Sequence, residues 1–390
     1  MGPRRTIGWA LGLICVATAI AIVVLWPGDD RPNLSGGLSA DSELAEVASV
    51  TESACPVDQP GTCAEAEIRL ESGSDEGEST TITLGEVGPG PDLDVGDRIR
   101  VQSAAATPVP DSTGPAASSY LFVDFERRSP LIWLAIAFAA LVVLFGRLRG
   151  ALSLVGLGLS LVIVLGFVVP AILTGEAPFA VAVAGALAVM LVTIPLAHGL
   201  GGKSMAAMLG TSLSLLLTAA LALIFTKLTT LTGYSFDEAL FLQSAGIDIS
   251  FQGLLLAGMV IGALGVLDDV TVSQASTVFA LRAADPDSGF GALFRRALDV
   301  GRDHVSATVN TLVLAYVGAA LPVLLIFGSS DVSLANAVNL EVVAREVVAM
   351  LVGSIGLIAA VPITTALAAW LAGSIPESEL VTEADATHQH

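Results

Sequence analysis

The chain has 390 residues, 54% hydrophobic and only 14% charged, and its 37 acidic against 17 basic side chains leave a formal net charge of −20. An ordinary soluble domain carries about 25% charged residues, so this composition excludes a typical soluble enzyme and points to a membrane protein. A nucleic-acid partner is also disfavoured, because phosphates demand a basic surface.

The acid is not spread evenly: between residues 27 and 126 twenty Asp and Glu meet only Arg31, Arg69, Arg98 and Arg100. One polar, acidic segment therefore interrupts an apolar chain. A helix needs roughly 20 apolar residues to cross a bilayer. Taken in order, the runs 7–26, 131–145, 151–173, 179–196, 205–225, 251–280, 305–327 and 347–371 predict eight spans. The first follows Arg4 and Arg5. Its apolar core exceeds the ~7–15 residues of a signal peptide, and no small-residue cleavage site closes it, so it reads as an uncleaved anchor.

Short-loop Arg and Lys set the orientation. With the N-terminus in the cytoplasm, Arg147, Arg149, Lys203, Arg282, Arg295, Arg296 and Arg302 fall inside, and only Lys227 and Arg345 outside. Both termini are therefore expected to be cytoplasmic, in a bacterial cell membrane, with residues 29–129 outside.

The expected organisation is an anchor (1–28), a linker (29–44), an extracytoplasmic β domain (45–103), a second linker and lead-in (104–129), a seven-helix core (130–373) and an acidic cytoplasmic tail (374–390). In the β domain, residues 67–70, 80–84 and 98–101 alternate polar and apolar side chains between Gly- and Pro-rich turns, which fits a small OB-like barrel or a sandwich. Cys55 and Cys63 lie in that domain, and in an oxidising compartment they predict a disulfide that staples one loop. The fold class is thus a polytopic α-helical membrane protein with a small extracytoplasmic all-β domain.

Two core stretches are distinctive. One reads Gly262-Ala263-Leu264-Gly265-Val266-Leu267-Asp268-Asp269-Val270-Thr271-Val272-Ser273-Gln274, and the other Val300-Gly301-Arg302-Asp303-His304, followed by the segment from Asn310 to Ala319. With the anchor, the β domain and the aromatic and arginine lead-in at 120–128, the chain from about 45 to 371 resembles the YibE/F family of bacterial multi-pass membrane proteins. That family has no established activity, so the resemblance implies a membrane role, with transport only suggested, and assigns no catalytic residue.

Read from the residues alone, Asp268 and Asp269 are the most informative pair, because a charge at bilayer depth costs several kcal/mol and marks a functional site. By helical spacing Asp269, Ser273 and Thr277 share one face and Asp268 and Thr271 another. The bland alternative is a helix cap, if the helix breaks near Gly265. The next span offers His304, Thr308, Asn310 and Thr311, and an antiparallel neighbour would bring them level with 268–277. With Gln274, these residues form the expected polar pathway. His304 would relay protons, or it snorkels while Arg302 and Asp303 pair at the interface. Asn310 could equally be interhelical glue. Gly258, Gly262 and Gly265 form a small-residue line that permits close helix packing, or a helix break.

The loop His198-Gly199-Leu200-Gly201-Gly202-Lys203-Ser204 only superficially resembles a phosphate-binding loop. Ala197 stands where the first Gly is required and no strand precedes it, so nucleotide binding is rejected; His198 and Lys203 are left as candidates for a cavity entrance. No metal cluster, cofactor fingerprint or nucleophile is legible, and no enzyme activity is expected. An intramembrane aspartyl protease would need two facing carboxylates, whereas neighbours on one helix diverge by about 100°. A transporter or channel for an ion or small solute is the leading expectation, and an envelope-assembly scaffold acting through the β domain the alternative. The bilayer is the certain partner, and a second copy of the chain an allowed one.

Overall fold

The computed structural model describes residues 2–28, 42–53, 63–84, 92–103, 120–235, 237–244, 246–329 and 332–375. They fall into two compact units, Asn33–Ala140 and Met1–Pro32 with Leu141–His390.

The smaller unit is built on strands β1 (Glu43–Ser53), β2 (Cys63–Leu70), β3 (Ser79–Leu84), β4 (Arg98–Ser103) and β5 (Tyr120–Phe125). They form one antiparallel sheet in the order β3-β2-β1-β4-β5. The outer strands β3 and β5 approach each other, so the sheet curls into a half-barrel. Alternation explains the burial: Ala66, Ile68 and Leu70 of β2 and Ile82 and Leu84 of β3 point inward, joined by Val47, Ile99, Val101 and Tyr120. The Tyr120 hydroxyl donates to Asp75 Oδ2 at 2.7 Å. That bond, and then burial, hold its proton well above the usual phenol range.

Two boundaries differ from expectation. β1 begins at Glu43, inside the stretch expected as linker, and the aromatic lead-in supplies β5. The reason is pairing: Phe122 lies opposite Val101 and Phe125 opposite Ile99, a ladder that no local signal announces. Cys55 and the side chain of Cys63 lie outside the described residues, as do 29–41, 104–119 and the tail from 376.

The helices are α1 (Pro3–Val24), α2 (Arg128–Ile163), a π-helical turn (Val164–Val168), α3 (Val169–Leu173), α4 (Pro178–His198), α5 (Gly202–Leu228), α6 (Asp237–Ser244), α7 (Phe251–Ala284), α8 (Phe290–Ala319), α9 (Leu321–Gly328), α10 (Leu334–Asn339) and α11 (Glu341–Ala372). Six helical segments are long and apolar enough to cross a membrane, and α8 with α9, bent by 64°, makes a seventh. The runs at 131–145 and 151–173, expected as two spans, fall in one 46-residue helical segment, Arg128–Leu173. Its backbone leaves the helical region at Arg147 (φ 49°, ψ −131°). There the chain doubles back so tightly that a Cβ at Gly150 would strike the Val142 carbonyl.

In the larger unit α7 is central, packed on α4, α5, α8 and α11. Its start is capped by Ser250, whose Oγ accepts from the Gly253 N–H at 3.1 Å. Ala, Leu and Val from α4, α5, α7 and α11 fill the main core, with Ile7 and Leu11 of α1 added at its edge. Glycines let α5 and α11 pack closely: a Cβ at Gly210 would meet Thr364, and one at Gly356 would meet Thr218.

Candidate functional site

α7 runs unbroken for 34 residues, and Asp268 stands near its middle. The helix does not break at Gly265, so neither Asp268 nor Asp269 caps a half-helix, which removes the bland alternative. The two carboxylates also do not share a site. Asp269 is exposed, on the face that carries Gly258, Gly262 and Gly265. Asp268 is half-buried and lines a cavity of about 400 Å³ between α2, α4 and α7. Its Oδ1 is buried and without a hydrogen-bond partner among the described residues, and so is Thr193 Oγ1 on the α4 wall of the same cavity. A buried polar atom left unmatched is costly, and a carboxylate more so. Such a carboxyl is relieved by a proton or by an arriving cation.

Two further cavities share walls with the first. A space of about 310 Å³ is lined by Arg149, His198 and Lys203, and has Ala197 and His198 in common with it. At the other end a space of about 600 Å³ shares Val164, Val168 and Ile261 and reaches Tyr316, Arg345 and Glu346. Val164 and Val168 belong to the π-helical turn, a local widening that often marks functional positions. The Arg345 guanidinium pairs with Glu346 at 3.1 Å and donates to Ser235 Oγ at 3.1 Å. The three spaces therefore adjoin one another, from the α4–α5 loop through the cavity that Asp268 lines to the Arg345–Glu346 ion pair.

The expected pathway residues divide differently. Gln274 is 2% exposed, and its Nε2 donates to the Ala297 carbonyl at 2.8 Å and to Thr365 Oγ1 at 2.7 Å. It ties α7 to α8 and α11, and does not line the adjoining cavities. Ser273 Oγ and His304 Nδ1 are 3.5 Å apart, so α7 and α8 meet there, but on a face turned away from Asp268. Thr277, Thr308 and Thr311 donate to the carbonyls of Ser273, His304 and Ala307 in their own helices. Asn310 and Thr311 are exposed, and Arg302 pairs with Asp299 at 2.8 Å instead of Asp303. The close packing expected at Gly258, Gly262 and Gly265 is also corrected: a Cβ at any of them would meet nothing within 4 Å. That glycine line borders open space.

Sequence reading missed Ser153, Ser160 and Thr193, scattered small polar residues in apolar runs whose convergence only the packing reveals. His198 and Lys203, expected at a cavity entrance, both line the space of about 310 Å³.

A helical membrane-type bundle around a carboxyl-bearing cavity is the class that this architecture defines. The family model of YibE/F-like proteins matches residues 134–374, and the chain belongs to that family. The match takes in both the Asp268 region and the Arg302–His304 stretch. No curated protein and no solved structure matches the chain.

Proposed function

We propose that this protein conducts or transports an ion or small solute along the adjoining cavities, with Asp268 as the group that takes up a proton or cation on the way. The observation that carries this reading is the buried, unmatched oxygen of Asp268, a residue that lines a cavity sharing walls with a further space at each end. A packed scaffold has no use for an uncompensated carboxyl at such a place.

The break at Arg147 supports eight crossings, since residues 128–146 and 148–173 each supply roughly the 20 residues or more that a bilayer needs. The Arg and Lys bias supports cytoplasmic termini and a β unit outside, in a cell membrane. The strand order β3-β2-β1-β4-β5, with β3 and β5 drawn together, supports the OB-like reading of that unit over a sandwich.

The test is reconstitution in vesicles with a trapped pH dye, comparing wild type, Asp268→Asn and Asp269→Asn under an imposed membrane potential. Asp268→Asn is expected to slow flux at least about tenfold, one proton-binding group being lost from the route, and Asp269→Asn to act much more weakly. Wild-type flux in Asp268→Asn sinks the proposal. The envelope-assembly alternative predicts the reverse pattern in cells: removing residues 42–102 abolishes function, while Asp268→Asn is silent.

A further inference from the structure

The groups that line the cavity beside Asp268 narrow what it can hold. Its polar side chains are Asp268 from α7, Thr193 and His198 from α4, and Ser153 and Ser160 from α2. No Arg, Lys, Phe, Tyr or Trp stands among the described residues that line it. Asp268 Oδ1 and Thr193 Oγ1 are buried and have no hydrogen-bond partner among the described residues. The Ser160 hydroxyl donates to the Gly156 carbonyl at 2.9 Å, so toward a guest its oxygen can only accept. An ionised carboxyl likewise only accepts. The site is therefore rich in acceptors and poor in donors, with one acid and no fixed positive charge. The rest of the wall is aliphatic, with Leu157, Val164, Val189, Ile194, Ile261 and Leu264. The volume of about 400 Å³ lies within the ~300–1,000 Å³ of small-molecule pockets, and at the ~30 Å³ that one water occupies it has room for roughly a dozen non-hydrogen atoms.

These features separate the possible guests. A Ca²⁺ or Mg²⁺ ion asks for ~6 or more oxygen ligands, which one carboxyl and three hydroxyls do not supply, and it makes no use of an aliphatic wall. A proton alone relieves the carboxyl but leaves Thr193 unmatched. An anion is repelled, and a sugar finds too few donors. A quaternary ammonium has no N–H for the acceptors and no aromatic face to rest on. We propose that this cavity binds a compact aliphatic ammonium ion, primary or secondary, with its N–H groups on Asp268 and Thr193 and its hydrocarbon body against the aliphatic wall. As the identity of the transported solute this rests on the permeation reading, whereas the binding itself does not. The carboxyl holds either a proton or the ammonium. Uptake of one guest by the protonated site thus breaks the Asp268 O–H bond and releases one proton to water, no covalent bond forms, and the charge in the cavity is unchanged. The other titratable groups near Asp268 are His198, on the α4 wall, and Asp269, next along α7; the α2 wall and the π-helical turn bring none.

The experiment measures equilibrium binding of radiolabelled cyclohexylmethylamine to the full-length protein in detergent. The unlabelled competitors are the amine itself, its neutral isostere cyclohexylmethanol and the quaternary cyclohexylmethyl-trimethylammonium ion. Wild type is expected to bind the amine saturably, with the alcohol and the quaternary ion competing at least about tenfold more weakly, for want of a charge or of an N–H. Asp268→Asn should weaken binding about tenfold or more, the usual effect of losing a charge-assisted contact, Thr193→Val a few-fold, and Asp269→Asn not at all. Gly265 lines the cavity, and a Cβ there would meet nothing within 4 Å, so Gly265→Leu adds bulk at the wall without a clash and should also weaken binding. If Asp268→Asn fails to fold, Thr193→Val and Gly265→Leu decide. The proposal is overturned if wild type shows no saturable amine binding, if the alcohol competes as well as the amine, or if the deciding variants bind as wild type does. Amine binding lost in Asp268→Asn together with wild-type flux in that variant would instead remove the permeation reading and leave the ammonium site standing. Slowed flux in Asp268→Asn without amine binding to wild type would do the reverse.

Discussion

Replacing Gln274 separates a structural lock from a pathway residue. Its amide nitrogen makes two bonds across helices, to the Ala297 carbonyl and to Thr365 Oγ1, at 2.8 and 2.7 Å. Neither partner is orphaned by its loss, because Thr365 still donates to the Val361 carbonyl at 2.6 Å and Ala297 O retains its place in the helical ladder of α8. Interhelical bonds in membranes average about 0.6 kcal/mol, and protein hydrogen bonds in general about 1 kcal/mol. Gln274→Leu, which keeps the volume, should therefore cost about 1–2 kcal/mol. Gln274→Ala also leaves a hole beside Gly301, where a Cβ would lie 2.7 Å from Gln274 Oε1 and 2.6 Å from Val361. With that cavity the loss should rise to about 3 kcal/mol. SDS-driven unfolding of the reconstituted protein, read by tryptophan fluorescence, measures both. Flux per folded molecule should stay near wild type in Gln274→Leu. Full stability with abolished flux in that variant would show that Gln274 belongs to the route after all.

The glycines give a paired test. Gly356→Val should cost about 1–3 kcal/mol in the same unfolding assay, because the new side chain drives into Thr218 at the α5–α11 contact. Gly258→Leu should leave stability nearly unchanged but narrow the cavity that reaches Tyr316, so that flux falls; the opposite pattern would restore close packing at Gly258. In the α7–α8 turn, the Asp285 carboxylate accepts from Ser288 Oγ at 2.7 Å and from Arg296 at 2.9 Å, which hold it below the ordinary carboxylate range. A depressed carboxylate stabilises the fold fully above its unfolded pKa, and the contribution disappears as pH falls through the lower folded value. Hydrogen-exchange protection of residues 285–293, corrected for intrinsic rates, should therefore drop only in acid, and should already be low at neutral pH in Asp285→Asn. Equal protection in that variant at neutral pH refutes the role.

The membrane character of the chain is written locally, since a crossing requires about 20 consecutive apolar residues and any reader of the sequence can count them. The divergence of Asp268 from Asp269 is local too, because adjacent residues on any helix point about 100° apart. Which of the two meets the cavity was not legible. That depends on α2 and α4, seventy or more residues earlier in the chain, packing beside α7 so that Asp268 lines the space between them while Asp269 stays exposed. Likewise Gln274 read as part of a polar stripe, and became a lock only when Ala297 and Thr365 were packed against it. Strand β5 looked like a lead-in, because its identity lies in hydrogen bonds to β4 and not in its own residues. Composition and periodicity settle which segments must leave water; the packing of distant segments alone decides which polar groups are matched and which, like Asp268, are left facing a cavity.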